Sequence, residues 1–284
     1  MNAIEINNLE KNYADFNLKI DELKIPSGYV IGLIGENGAG KTTLIKSILN
    51  IIKKDSGKIK IFNKDLEEKE LEIKEDIGIV LDNTFFSEML NAKDIDSIMK
   101  DIYKNWDSKL FYKYLKDFKI KDNQLLKTLS KGMRKKVEIA TALSHHPKLL
   151  ILDEATSGLD PVVRNEVLDL FLDFIEDEEH TIIMSTHITS DLEHISDYIV
   201  FIDNGRIVIE NQKDEIIDNY GILKCDIDKF ETIDKSDIVR FKKNKYNYEI
   251  LVENKETCKK KYKDFVVDSI TLESLMLLII KGGK

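Results

Sequence analysis

One nine-residue stretch constrains this chain more than any other. Gly35-Glu36-Asn37-Gly38-Ala39-Gly40-Lys41-Thr42-Thr43 fills the pattern G-x-x-x-x-G-K-[ST]. It lies between an apolar run, Tyr29–Ile34, and a stretch of helical periodicity, Thr42–Ile52, whose stripe is Leu44, Ile45, Ile48, Leu49 and Ile52. A strand, a glycine-rich loop and a helix in that order are the context the pattern requires. Glycines let successive backbone amides curl around a phosphate, and the following helix points its positive end at it. Lys41 is placed to bridge the terminal phosphates of a nucleoside triphosphate, and the Thr42 hydroxyl to meet Mg²⁺.

A second anchor is Leu149-Leu150-Ile151-Leu152-Asp153-Glu154. Four apolar residues read as a strand in the middle of a parallel sheet, and two carboxylates emerge at its C-terminal end, where such sheets place ligands. Taken alone, this is a solvated strand end. Paired with the phosphate loop, it assigns Asp153 to the Mg²⁺ shell and Glu154 to the water that attacks the γ-phosphate.

The rest of the pattern agrees. Strand-like segments at Ile4–Ile6, Phe16–Ile20, Lys58–Phe62, Thr181–Ser185 and Tyr198–Ile202 alternate with helical ones, notably Ala92–Ser144 and Val162–Ile175. That alternation predicts an α/β domain with a largely parallel sheet over residues 1–216. Asp94, Asp107 and Asp122 are candidate N-caps for the helical stretch, which forms a lobe at about 85–145. From Tyr220 onward come short strand-like pieces and a closing apolar helix, Leu272–Ile280, predicting a small α+β extension over 217–284.

Composition excludes several classes. With 43 basic and 52 acidic side chains the net charge is −9, which repels a nucleic-acid backbone. Two cysteines, Cys225 and Cys258, make no CxxC spacing, so neither a zinc site nor a disulfide framework is expected, as suits a reducing cytosol. No basic leader precedes an apolar run, and the longest apolar stretches fall well short of the ~20 residues that span a bilayer. His145-His146 before Pro147 read as a loop and not as metal ligands.

Between the anchors stands Leu129-Ser130-Lys131-Gly132-Met133, which resembles the signature sequence of ATP-binding cassette (ABC) proteins. After the second anchor, Ser157-Gly158-Leu159-Asp160 is similar to that family's D-loop, and His187 matches its switch histidine. Tyr13 stands where the family keeps an adenine-stacking ring. The resemblance covers about Ile4–Ile216. It implies a P-loop NTPase core with an antiparallel β subdomain and a helical lobe, hydrolysing ATP with Mg²⁺. It implies a dimer of ATPase subunits, like or unlike, in which Ser130 and Gly132 reach the γ-phosphate held by the other subunit. Asp160 would sit at the dimer seam, and His187 would touch the γ-phosphate. Separate transmembrane permease subunits would be the partners, docked on the lobe, where Phe85 and Phe86 either line the docking groove or pack the lobe's own core. The location implied is cytoplasmic, on the inner face of the cell membrane.

Three positions depart from the family pattern: Asp82 replaces a glutamine, while Lys131 and Met133 replace glycine and glutamine. Asp82 keeps an oxygen for Mg²⁺ but adds a charge that repels phosphate. The Leu-Ser-Lys-Gly-Met form and the ending Ser269-Ile270-Thr271-Leu272-Glu273-Ser274-Leu275 resemble ATPase subunits of bacterial drug and antimicrobial-peptide exporters. The alternatives are a soluble ABC machine of the translation or DNA-repair type, and an importer ATPase. One cassette, a short phosphate-loop-to-signature spacing and negative charge weigh against the first; Asp82 and the ending lean away from the second.

Overall fold

The computed structural model describes residues 1–82 and 86–283. Its centre is a six-stranded sheet ordered β10-β9-β3-β8-β7-β6. The strands are β3 (Val30–Ile34), β6 (Ile77–Val80), β7 (Leu149–Asp153), β8 (Thr181–Ser185), β9 (Tyr198–Asp203) and β10 (Arg206–Gln212). All neighbours run parallel except β9 and β10, which form an antiparallel edge. β3, β7 and β8 are buried at every residue, so unbroken apolar runs and not alternation mark them in the sequence.

A second sheet, β2-β1-β4-β5, is antiparallel and covers one side. Its strands are β1 (Asn2–Asn12), β2 (Asn17–Pro26), β4 (Ser56–Ile61) and β5 (Lys64–Asp65). Ile4, Ile6, Leu18, Ile20, Ile59 and Ile61 pack inward, joining a core that includes helix α1 (Lys41–Ile48). α1 ends earlier than its periodicity predicts, because Asn50 turns into the left-handed region at φ 53°. Helix α2 (Glu70–Glu75) leads into β6.

The lobe consists of α3 (Ala92–Ile102), α4 (Ser108–Asp117) and α5 (Lys131–Leu143) around Ile95, Phe111, Leu115 and Val137. Asp107 caps α4 as expected, accepting from Leu110 N–H at 3.0 Å. The other two cap expectations are corrected. Asn91 caps α3, with Asp94 three residues later returning a bond to Asn91 N–H, so Asp94 is the far half of a capping box. Asp122 caps no helix and instead pairs with Lys93 at 3.3 Å.

On the opposite face of the central sheet lie α6 (Pro161–Ile175), α7 (Thr189–Ile195) and α8 (Lys213–Asn219). Beyond them is a four-stranded antiparallel sheet ordered β12-β13-β11-β14. Its strands are β11 (Gly221–Asp226), β12 (Arg240–Lys243), β13 (Asn247–Val252) and β14 (Val266–Ser269), with α9 (Lys255–Lys261) and α10 (Leu272–Lys281). Alternation splits its faces. Leu223, Cys225 and Ile250 join a local cluster with Cys258 and Tyr262, whereas Ile222 and Leu251 face the main core. α10 buries Leu272, Leu275, Leu278 and Ile279 in that core beside Leu192 and Ile195 of α7. At roughly 1.5–3 kcal/mol per buried Leu or Ile side chain, this closing segment is firmly held. Among the described residues, no helix is long and apolar enough to cross a membrane.

Candidate functional site

The parallel strands deliver the predicted groups to one edge. Register aligns Leu33 with Ser185, Asp153 with Ser185, and Val80 with Leu152. The residues that follow β3, β6, β7 and β8 therefore emerge together at the C-terminal ends, where open α/β sheets bind ligands.

The loop from Gly35 to Gly40 is shaped by close approaches. A Cβ at Gly35 would stand 2.3 Å from the Ile202 carbonyl oxygen, and Gly40 caps α1 at φ 115°. Ala39 N–H donates to Glu36 O at 3.0 Å, closing the turn, while Asn37 and Gly38 face solvent. No side chain caps α1 and no acidic residue occupies its first turn, so its leading N–H groups are left for an anion. Lys41 is 6 % exposed and its ammonium donates to Gly35 O at 2.7 Å and Glu36 O at 3.1 Å. Burial pushes the Lys41 ammonium below the usual lysine range, while Glu154, Asp153 and Glu36 pull it back. Thr43 lends its carbonyl to Ser47 Oγ within α1.

Thr42 Oγ1 donates to Asp153 Oδ2 at 3.1 Å, joining the two anchors. Asp153 Oδ1 and Ser185 Oγ, on registered neighbours, are buried and lack a protein partner. An unfilled buried carboxylate oxygen beside a threonine hydroxyl is the donor set of a hard divalent cation such as Mg²⁺, so these residues fit it. Asp82 is exposed just past β6, and among the described residues no hydrogen bond joins it to Thr42 or Asp153.

Glu154 takes a left-handed backbone, φ 53°, and its N–H donates to Ser185 O at 2.8 Å. This strained turn brings its carboxylate Oε2 to 2.7 Å from His187 Nδ1. Two residues past Glu154, Thr156 Oγ1 donates to Asp191 Oδ2 at 2.7 Å, and Arg164 pairs with Asp191 Oδ1. Nothing in the sequence spacing marked Asp191, Thr156 or Arg164. Lys135, also unmarked, is buried on α5 with its ammonium on Leu81 O at 2.8 Å, beside Asp82.

The remaining residues lie apart. Ser130 caps α5 by accepting from Met133 N–H at 3.2 Å, and Asp160 caps α6 by accepting from Val162 and Val163 N–H. Gly132 packs near Leu159 and Val163, and Lys131 Nζ lies over Gly158, so signature and D-loop adjoin one another. No hydrogen bond among the described residues links Ser130, Gly132 or Asp160 to the phosphate loop. Tyr13 is half exposed, 6.4 Å by ring centroid from Phe16. Phe16 in turn approaches Gly40. Phe86 packs on the lobe's own core, and Phe85 lies outside the described residues. His145 is buried, stacked on Tyr103 at 3.9 Å, and among the described residues no metal-ligating His/Cys/Asp/Glu cluster exists.

A glycine loop capping a helix, a strand-end carboxylate pair and a flanking histidine on a parallel sheet define a nucleoside-triphosphate hydrolase. A family profile described as "ABC transporter" matches residues 18–157. The chain is 33% identical over 213 residues to the lantibiotic transport ATP-binding protein SrtF of Streptococcus pyogenes, covering 74% of this chain and 91% of that one. It is 34% identical over 214 residues to the bacitracin transport ATP-binding protein BcrA of Bacillus licheniformis, covering 73% and 69%. A solved ATP-binding subunit of an ABC transporter superposes with TM-score 0.68 at 26% identity, covering 75% of this chain and 91% of that chain. The chain belongs to the ABC transporter ATP-binding proteins and is an ATPase.

Proposed function

We propose that this chain energises a bacterial exporter, two ATPase subunits clasping two ATP molecules against separate membrane subunits. The kinship with lantibiotic and bacitracin transport proteins supports this reading over a translation, repair or import role. The ATPase domain is assigned to residues 1–216 and the small extension to 217–284. The observation that carries the site is the convergence of Thr42–Asp153 and Glu154–His187 on one sheet edge.

In this reading Tyr13 stacks on adenine. The amides from Gly35, Asn37, Gly38, Ala39 and Gly40 through Thr43 wrap the phosphates. Lys41 leaves its two carbonyl partners for the β- and γ-phosphate oxygens. Thr42, Asp153 and Asp82, the last standing just past the end of β6, would hold Mg²⁺. When bound, Mg²⁺ neutralises charge on the phosphate oxygens. Glu154 orients a water whose oxygen bonds to the γ-phosphorus as the bond to the ADP oxygen breaks, and the carboxylate takes up the water's proton. His187 restrains that carboxylate and contacts the γ-phosphate. Ser130 and Gly132 at the head of α5 approach the γ-phosphate from the second subunit, α5 adding its N-terminal dipole, while Asp160 lies at the seam. The apolar cleft where Phe86, Met99 and Tyr103 meet Val80 seats the membrane partner.

The test is the ATPase rate per subunit across protein concentration, with affinity capture from membranes. A rate that rises with concentration and capture of a polytopic membrane protein support the proposal. A constant rate at dilutions where only monomer exists, or capture of ribosomes or DNA, refutes it.

A further inference from the structure

Asp191 occupies an unusual position. It is 1 % exposed, on the first turn of α7, yet carries a carboxylate far from the phosphate loop in sequence. Both of its oxygens are used. Oδ2 accepts from the Thr156 hydroxyl at 2.7 Å, and Oδ1 accepts from Arg164, whose guanidinium also donates to Ser190 Oγ at 2.8 Å. Thr156 is itself fully buried. A buried carboxylate with both oxygens bonded to donors that are themselves held in place is a rigid junction.

The junction ties together the two turns that carry the Glu154–His187 contact. Glu154 precedes Thr156 by two residues in a tight turn, where Ser157 N–H donates to Glu154 O at 3.1 Å. His187 precedes Asp191 by four residues in a second turn, where Asp191 N–H donates to Ile188 O at 3.0 Å and Ile188 N–H to Thr186 Oγ1 at 3.0 Å. The two groups meeting at 2.7 Å therefore hang on short turns whose far ends are tied together by one hydroxyl-to-carboxylate bond.

We infer that Asp191, through the Thr156 hydroxyl, is the positioning residue that sets the placement of Glu154 against His187 for hydrolysis. Its two oxygens are taken up by Thr156 and Arg164, so it acts through Thr156 on the chemical step and not on nucleotide binding. The inference rests on the assignment of Glu154 and His187 made above.

The test compares Thr156→Val, Thr156→Ser, Asp191→Asn and Glu154→Gln in the full chain, reading kcat and KM for ATP and the thermal midpoint. Valine keeps the volume of Thr156 and removes only the donor, so it guards against misfolding of Asp191→Asn. Displacing a catalytic group by an ångström or less costs about ten- to a hundredfold. Thr156→Val should lower kcat by about that factor with KM changed less than about twofold, and Thr156→Ser should recover most of it. Folded Asp191→Asn, whose amide can still bond the Thr156 hydroxyl, should lose less kcat than Thr156→Val. Wild-type kcat in Thr156→Val, equal losses in valine and serine variants, or a rise in KM at constant kcat would each overturn the inference. If Glu154→Gln turns over normally, the underlying assignment fails too; if it is inactive while Thr156→Val is normal, only the positioning role fails.

Discussion

His187 Nδ1 and Glu154 Oε2 stand 2.7 Å apart, the histidine about half exposed and the carboxylate mostly covered. An ionised carboxylate only accepts, so Nδ1 carries the proton of this bond. In a neutral ring Nε2 then has a lone pair and no hydrogen to offer a phosphate oxygen. His187 can serve carboxylate and phosphate together only when doubly protonated, and otherwise must leave one for the other.

Glu154→Gln separates the roles of this pair. The amide oxygen still accepts from Nδ1–H, so geometry and ATP binding should persist, but the amide takes up no proton from water. General-base loss costs about 10²–10⁴-fold. Single-turnover hydrolysis should fall by that factor while gel filtration with ATP shows accumulated dimer; wild-type turnover would remove Glu154 from the base role.

Lys41→Ala probes the loop. The ammonium is held by two backbone carbonyls and its positive charge is squeezed by burial, a cost that a triphosphate relieves. Removing it should weaken ATP binding at least about tenfold, or about 1.4 kcal/mol, by isothermal titration. Equal affinity would refute the phosphate-loop assignment.

What could be read beforehand follows from what each group depends on. Lys41, Thr42, Asp153 and Glu154 sit in local patterns whose chemistry is set by neighbours in sequence, so their convergence was legible. The buried strands β3, β7 and β8 were legible for the same reason, as short apolar runs. Asp191, Thr156 and Lys135 act through partners 35 to 54 residues away, and no local spacing encodes such a pairing. The caps of α3 failed because Asp94 and Asn91 are both good caps, and only the backbone path chooses between them. The two-faced sheet around β11 carried alternating residues, yet nothing in them told which face would meet the main core.

Asp82 is testable through metal dependence. It is exposed and lacks a bond to Thr42 or Asp153, but it follows β6 at the same edge as Asp153, and Lys135 anchors the carbonyl just before it. If it completes the Mg²⁺ shell, Asp82→Ala should raise the Mg²⁺ concentration for half-maximal ATPase several-fold. Asp82→Gln, which keeps an oxygen, should raise it less. Superimposable Mg²⁺ titrations for all three proteins would take Asp82 out of the shell.

His145 should couple stability to pH. Its ring is buried against Tyr103, with Nε2 at 3.0 Å from Ile77 O, and burial pushes its basicity below the usual histidine range. The folded protein thus binds this proton less readily than the unfolded chain, whose histidine titrates near the ordinary value of about 6.5. The stabilisation is therefore fully present above about pH 6.5 and is lost as pH falls from there through the folded value. Glutamine retains an amide donor for Ile77 O and carries no titrating group. Urea unfolding at pH 7.5 and pH 5.5 should show a smaller loss of stability for His145→Gln than for wild type, other groups contributing equally to both. An identical pH slope in the two proteins would mean that His145 gains its proton as easily folded as unfolded, and that its burial against Tyr103 carries no protonation penalty.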